Sequence, residues 1–432
     1  MGIGAADESV ATAKANSGDS LMDILFIHGN YPAQFVHLAE RLARQEQHRV
    51  VFLTNREDSE ARPLTGVSVR RFVPHRDVSE STHNYLRATE SAVLKGQAVV
   101  RELLVLIEKG FNPRLIIFHA GNGLGLFVRH IFPQSRMIAY LEWWFNDSTN
   151  RWLIENYQFN DRLRAQMRNS IILMELDQSD AAVTPTEWQR AQFPIHHQPK
   201  IEVIFDGIDT SFYYPGTVDG ICKLKGENSD IPLTIHPDSR VLSYATRGME
   251  PVRGFPEFMR MLPNLLSTYD DLQVVIAGRD RVAYSYGAPG CEGSWKNWMM
   301  NEIEPMCDIS RIHFTGLLNF RDYRQLLWRT DLHVYFSRPY ITSWSFFEAV
   351  ACGAPLLVSS CECTEYLSTP ENIQLVNLED PREYVREAKL ALDKYDGHAK
   401  RCFSQTLPQH YTLNESMMKW ASFLTRLLQD QC

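Results

Sequence analysis

From residue 22 onward, short apolar runs alternate with stretches whose apolar residues recur at helical spacing. The runs Met22–His28, Arg49–Leu53, Val67–Val73, Leu115–His119, Met137–Leu141, Ala181–Thr184 and Ile201–Phe205 predict strands. Between them, Phe35–Gln45, Tyr85–Lys109 and Arg162–Leu176 predict helices. In the first of these, Phe35, Leu38, Ala39 and Leu42 fall at i, i+3, i+4 and i+7, one helical face. A second series starts at Val241–Ala245 and continues with Leu272–Ala277, Arg311–Phe314, Leu332–Phe336 and Pro355–Val358. After Val376 only helix signals remain, ending in Leu413–Gln429. Tyr213–Ser239, broken by Pro215, Gly216, Gly220, Gly226, Pro232 and Pro237, keeps no period and reads as a linker. Strands alternating with helices twice over predict an α/β protein of two Rossmann-like, doubly wound domains. Their parallel sheets are covered on both faces and face a central cleft. The expected boundaries are a flexible tail at 1–20, a first domain at 21–212, the linker at 213–239 and a second domain at 240–405. A closing helix at 406–432 can pack back on the first domain.

Composition narrows this picture. A chain of 432 residues is too long for one ordinary core and suits two. A net charge of −8 supplies no global basic field for nucleic acid or anionic lipid, and leaves a local basic patch open. The cysteines are scattered from Cys222 onward, and Cys361-Glu-Cys363 lacks the spacing of a zinc site. With no apolar stretch in the first twenty residues to act as a signal, they read as reduced thiols of a cytoplasmic protein. No apolar run approaches the length of a membrane span, which leaves peripheral membrane contact open.

Candidate chemistry clusters at strand ends. After the strand VLSYA, Arg247 and Arg253 stand six apart on a glycine-interrupted loop before a helix, where two guanidiniums can fork onto a diphosphate. After LHVYF, a helix begins near Ser343 to Ser345, with one of these serines as cap, and its exposed N–H groups suit a phosphate. Glu348, one turn in, can accept hydrogen bonds from ribose hydroxyls. In the first half, His119 ends a strand and precedes the loop Ala120-Gly-Asn-Gly. Gly29 and Asn30 follow the first strand and can offer backbone donors. Asn122, Glu142 and Trp143 are the acceptor-side candidates, the last two from the run Glu-Trp-Trp-Phe.

The runs RGMEPVRGFPEFMRMLP, VVIAGRD, RIHFTGLL and HVYFSRPYITSWSFFEAVACGAPLLV resemble the donor-binding half of family 4 glycosyltransferases with the GT-B fold. DILFIHGNYPAQFVHLAERLA, LIIFHAGNGLGLFV, MIAYLEWWF, VTPTEWQRAQFP and IEVIFDGIDTSFYYP are similar to the family's first half. The likeness runs from Met22 onward. It implies that Arg247 binds pyrophosphate, that Arg253 stands near the family's usual lysine, and that Glu348 binds the nucleotide ribose. His119 would contact the donor sugar, and the backbone of Gly316 and Leu317 would meet the nucleobase. Tyr340, Trp344 and Ser345 complete the donor set. Tyr340 is a departure, because the family carries there the first of two glutamates separated by seven residues, the one that touches the sugar ring. The implied activity is retaining transfer of a sugar from a nucleotide diphosphate sugar, UDP- or GDP-linked, to an acceptor hydroxyl. No metal or other cofactor is expected, since Asp-x-Asp ligands are absent from the cleft segments. A nucleic-acid or protein acceptor, and a non-catalytic sugar-nucleotide-binding role, remain as alternatives.

Overall fold

The computed structural model describes residues 22–44, 48–227, 230–365, 373–394 and 407–429. The expected tail at 1–20, the last residue of the helix read as Phe35–Gln45, and Cys402 and Cys432 lie outside the described residues. Every expected strand forms. The first sheet consists of β1 (Asp23–Ile27), β2 (Arg49–Thr54), β3 (Val67–Arg71), β4 (Pro113–His119), β5 (Arg136–Tyr140), β6 (Ala181–Thr184) and β7 (Ile201–Val203). Its order is β3-β2-β1-β4-β5-β6-β7, all parallel. A hairpin follows, β8 (Cys222–Leu224) and β9 (Leu233–Ile235). The second sheet consists of β10 (Arg240–Gly248), β11 (Leu272–Arg279), β12 (Ile312–Gly316), β13 (Leu332–Tyr335), β14 (Leu356–Ser359) and β15 (Ile373–Val376), in the order β12-β11-β10-β13-β14-β15.

Counted from their own first strand, both sheets contain the order 3-2-1-4-5-6, the doubly wound Rossmann order, and the first adds β7 at its edge. The central strands are buried on both faces: every residue of Ile24–Ile27 and Leu115–His119 is buried, as parallel strands between two helix layers must be. The two faces fill separate cores. Leu25, Ile27, Ile116 and Phe118 point to one, and Ile24, Phe26, Leu115 and Ile117 to the other. Phe258, Met259, Leu262 and Leu266, on one face of the helix Phe255–Thr268, build the largest core of the second domain.

Three features differ from the pattern reading. The segment read as a structureless linker carries the β8–β9 hairpin, and its inward residues Cys222, Leu224 and Ile235 pack on Val241, Val275 and Leu326 of the second domain. Strand β15 was not expected, because its alternation of half-buried and exposed residues leaves only Val376 fully inside. Strand β10 continues past Ala245 to Gly248 with a register shift, so Arg247 sits on an irregular strand end rather than a free loop.

The chain crosses between the domains twice. After β7 it passes through Phe205–Ile208, and on its return Ile208 N–H donates to Tyr411 O at 2.9 Å and Leu413 N–H to Ile208 O at 2.8 Å. The helix Leu413–Gln429 then lays Met417, Trp420, Phe423 and Leu424 on the core of the first domain. Among the described residues no helix is long and apolar enough to cross a membrane.

Candidate active site

In each sheet the strand order reverses between the first and fourth strands, and the loops leaving those strands diverge there. The four loops after β1, β4, β10 and β13 meet in one cleft of about 720 Å³ between the domains. Gly29, Asn30, His119, Asn122 and Glu142 line one wall. Arg247, Arg253, Leu317, Ser343, Trp344, Ser345 and Glu348 line the other. Residues far apart in sequence therefore converge because the two switch points face each other.

The second wall is strongly cationic. After β10 the chain makes a single turn, Pro251–Arg253, and Gly254 takes φ +62° to enter the helix Phe255–Thr268. That turn draws Arg253 inward until it is only 6% exposed. Its Nη1 donates to Ile341 O at 2.9 Å and Ser337 Oγ at 3.3 Å, and its guanidinium lies over the rings of Tyr340 and Tyr284 at 5.3 and 5.4 Å. Among the described residues no carboxylate pairs with it. Arg247 is exposed and donates to Tyr284 Oη at 3.1 Å. Burial and the charges of Arg247 and Arg279 push the Arg281 guanidinium below its ordinary range. Such a concentration of positive charge favours a polyanion.

Tyr284 and Glu250 are absent from the sequence-derived set, and both hold this wall together. Glu250 is fully buried, and its Oε2 accepts from the backbone N–H groups of Tyr284 at 2.9 Å and Ser285 at 2.7 Å, and from Ser285 Oγ at 2.9 Å. This carboxylate fixes the loop that carries Tyr284. Glu250 lies inside the run RGMEPVRGF, and only the distant loop it braces reveals its part.

The helix Trp344–Ala351 starts at the cleft. Ser343 caps it, its Oγ accepting from Ser345 N–H at 3.1 Å. Gly353 at φ +70° ends it. Glu348 faces the cleft from its first turns, and burial pushes its carboxyl up to about 7. Trp344 Nε1 donates at 2.8 Å to Asp206 Oδ2, and Tyr140 Oη donates at 2.5 Å to Asp206 Oδ1. Asp206 is also pushed up to about 7 by burial, and it ties both lobes at the base of the cleft.

The first wall is a hydrogen-bonded ring of side chains. His119 Nε2 and Glu142 Oε2 are 3.1 Å apart, Gln34 Nε2 donates to Glu142 Oε1 at 2.9 Å, and Gln34 Oε1 meets His28 Nε2 at 2.9 Å. Asn30 N–H donates to His28 Nδ1 at 2.8 Å. Burial, then the neighbouring His119, holds His28 well below the ordinary histidine range. Burial alone would raise Glu142, but the bond and charge of His119, the charge of Arg247 and the bond from Gln34 together outweigh it and leave its carboxyl low. Glu142 thus orients His119 and is itself held by Gln34.

The remaining candidates sit elsewhere. Gly316 ends β12 away from the cleft lining, while its neighbour Leu317 is in it. Tyr340 is 7% exposed, with its ring 4.5 Å from Trp143 and 5.2 Å from Tyr284. Tyr340 and Trp143 line a second cavity beside the cleft. Trp144 packs on Phe193 in the first-domain core.

The loop after β4 is held from beneath by Glu175, which accepts from Gly121 N–H at 2.5 Å and Gly125 N–H at 2.8 Å. Gly123 there has φ +79°, and a Cβ at that position would lie 2.2 Å from Ala92 O. Gly123→Ala is expected to cost at least about 2 kcal/mol, from left-handed strain and backbone overlap. Thermal unfolding reads this as a lowered Tm, and an unchanged Tm would show the loop moving aside freely.

The two facing Rossmann-like domains and their cationic interdomain cleft define a protein of the GT-B fold. Residues 46–213 match the glycosyl transferase family 4 group, and residues 239–394 match the glycosyl transferases group 1. The chain belongs to this glycosyltransferase family. Among solved structures it is similar to Anabaena HepE in complex with UDP and glucose, at 15% identity and a TM-score of 0.62, over 94% of this chain and 100% of that one. It is also similar to sucrose-phosphate synthase from Thermosynechococcus elongatus, at 13% identity and a TM-score of 0.66, over 95% and 100% of the two chains. The catalytic domain of starch synthase IV from Arabidopsis thaliana, bound to ADP and acarbose, matches at 11% identity and a TM-score of 0.64, over 95% and 100%. At such identities these likenesses establish the fold. No curated protein matches the sequence.

Proposed function

We propose that the protein is a retaining, metal-independent glycosyltransferase that moves a hexosyl or pentosyl group from a UDP- or GDP-sugar to an acceptor hydroxyl. The observation that carries this reading is the convergence of Arg247, Arg253, the Ser343-capped helix start and Glu348 on one cleft. Among the described residues no carboxylate forms an ion pair with the buried Arg253, though the charge of Glu250 reaches it, and a diphosphate fits as its direct counter-charge. Glu348 meets the ribose hydroxyls, and Leu317 lies beside the base. That HepE is described with UDP, and starch synthase IV with ADP, agrees with a nucleotide on this wall.

In the proposed step the bond between the anomeric carbon and the diphosphate oxygen breaks, and the arginines stabilise the departing charge. The acceptor oxygen bonds to the same face of the sugar. Its proton passes to the departing phosphate oxygen, so configuration is kept. His119, oriented by Glu142, reaches the sugar from the opposite wall. Tyr340 is turned toward Trp143, which leaves the sugar ring without the glutamate that the family pattern supplies there.

Incubation with a panel of UDP-, GDP-, ADP- and TDP-sugars tests the reading. The expected product keeps the anomeric configuration of the donor by NMR, at a rate unaffected by EDTA. An inverted product removes the retaining step. A nucleotide that binds without transfer or hydrolysis leaves the non-catalytic alternative.

A further inference from the structure

A second cavity of about 650 Å³ opens off the main cleft. It shares His119, Asn122, Glu142, Tyr284 and Ile341 with that cleft, so a molecule filling it reaches the space beside the donor sugar. Away from this mouth its wall is formed by the starts of two first-domain helices, Arg87–Glu108 and Phe159–Gln178. Both carboxylates of the lining are already committed. Glu142 is bonded to His119 and Gln34, while Asp161 accepts from Gln158 N–H at 2.8 Å and pairs with Arg164.

The cations of the wall outnumber these acids. Arg168 pairs with no carboxylate among the described residues, and its guanidinium lies 3.7 Å from the centre of the Phe145 ring. Among the described residues Arg87 reaches only the carbonyl of Ser79, at 3.3 Å. One buried donor of the lining, Trp143 Nε1, has no partner among the described residues. A pocket with surplus donors, net positive charge and aromatic faces matches a sugar ring that carries an anionic group.

We propose that this cavity is the acceptor subsite and that it takes an anionic acceptor, a phosphate- or carboxylate-bearing sugar, with Arg168 as its counter-ion. The inference rests on the donor-cleft reading above only for the name acceptor; the anion preference stands on the cavity itself. Calorimetric titration of the full chain compares glucose, glucose 6-phosphate and glucuronate, with UDP or GDP present. The anionic sugars are expected to bind at least about tenfold tighter than glucose, a difference of about 1.4 kcal/mol. Arg168→Gln is expected to erase that preference and leave nucleotide affinity unchanged, while Arg168→Lys keeps part of it. Equal binding of the three sugars, or a preference that survives Arg168→Gln, overturns the inference. Nucleotide titrations on the same samples separate the two readings. A chain that prefers anionic sugars but binds no nucleotide keeps the subsite and loses the donor cleft, and the converse result does the opposite.

Discussion

Replacing Arg253 by methionine is expected to lower the transfer rate by about 10²–10³-fold, the usual cost of removing one preorganised charge donor from a developing anion. The size follows from where the guanidinium sits. It is almost wholly buried, held by two hydrogen bonds through Nη1 and layered against Tyr284 and Tyr340, so it cannot swing away when the cleft fills. A charge fixed in a poorly hydrated wall acts more strongly on a phosphate than one on a mobile surface chain. Methionine keeps much of the volume and removes the charge. Single-turnover measurements should show the chemical step slowed, with Arg253→Lys recovering part of the rate because the charge returns without the planar fork. Arg247→Ala is the matched control for fold. Arg247 is exposed, so its loss leaves Tm nearly unchanged, yet it is expected to slow transfer by a similar factor. If both variants turn over at the wild-type rate, the phosphate role of this wall is gone.

Much of this architecture was legible in the chain because parallel strands buried on both faces stand out as short, continuous apolar runs. LIIFH and DILFI are examples, each flanked by helix-period stretches. That Arg247, Arg253, Ser343 and Glu348 line one cleft was legible for a related reason. These residues lie within a few positions of strand ends, where local sequence and site coincide. Glu250 was not, since it acts on a loop 33 to 35 residues away. Asp206 was hidden likewise, bridging to Trp344 across 138 residues. No local period encodes such contacts; they exist only once the domains are docked. The run Glu142–Phe145 shows the limit most clearly. Its four residues part company: Glu142 orients His119, Trp143 packs on Tyr340 beside the cleft, Trp144 enters the core, and Phe145 sits under Arg168. The run therefore spans four separate environments, each set by residues from another element. The short strands β8, β9 and β15 escaped for a different reason, because three or four residues with only alternate positions buried resemble any polar loop.

Glu348→Gln is expected to act on stability and binding in opposite directions. Its carboxyl sits at about 7 in the folded chain because of burial, against an ordinary value of 4.5. Below pH 4.5 the group is protonated in both states and costs nothing. As pH rises toward 7 the unfolded chain releases its proton first, so this residue lowers folding stability progressively, and the full penalty is present above about 7. A shift of that size corresponds to about 1–3 kcal/mol after allowance for partial exposure to the cleft. Glutamine is neutral and nearly the same shape, so the variant should melt at a higher temperature than wild type at pH 8 and at a similar temperature at pH 4.5. Nucleotide affinity should move the other way. An ionised carboxylate can accept from two ribose hydroxyls, whereas the amide offers one acceptor oxygen, and a charge-assisted hydrogen bond contributes about 1.5–3 kcal/mol. Binding of UDP or GDP is therefore expected to weaken about tenfold or more in Glu348→Gln. Wild-type affinity should also rise between pH 6 and pH 8, as bound ribose favours the ionised form. A variant that is stabilised at pH 8 but binds nucleotide as tightly as wild type would make Glu348 a strained structural carboxyl with no ligand. A variant that loses affinity without gaining stability would mean the carboxylate is well solvated in the open cleft, and that burial is not what sets its titration.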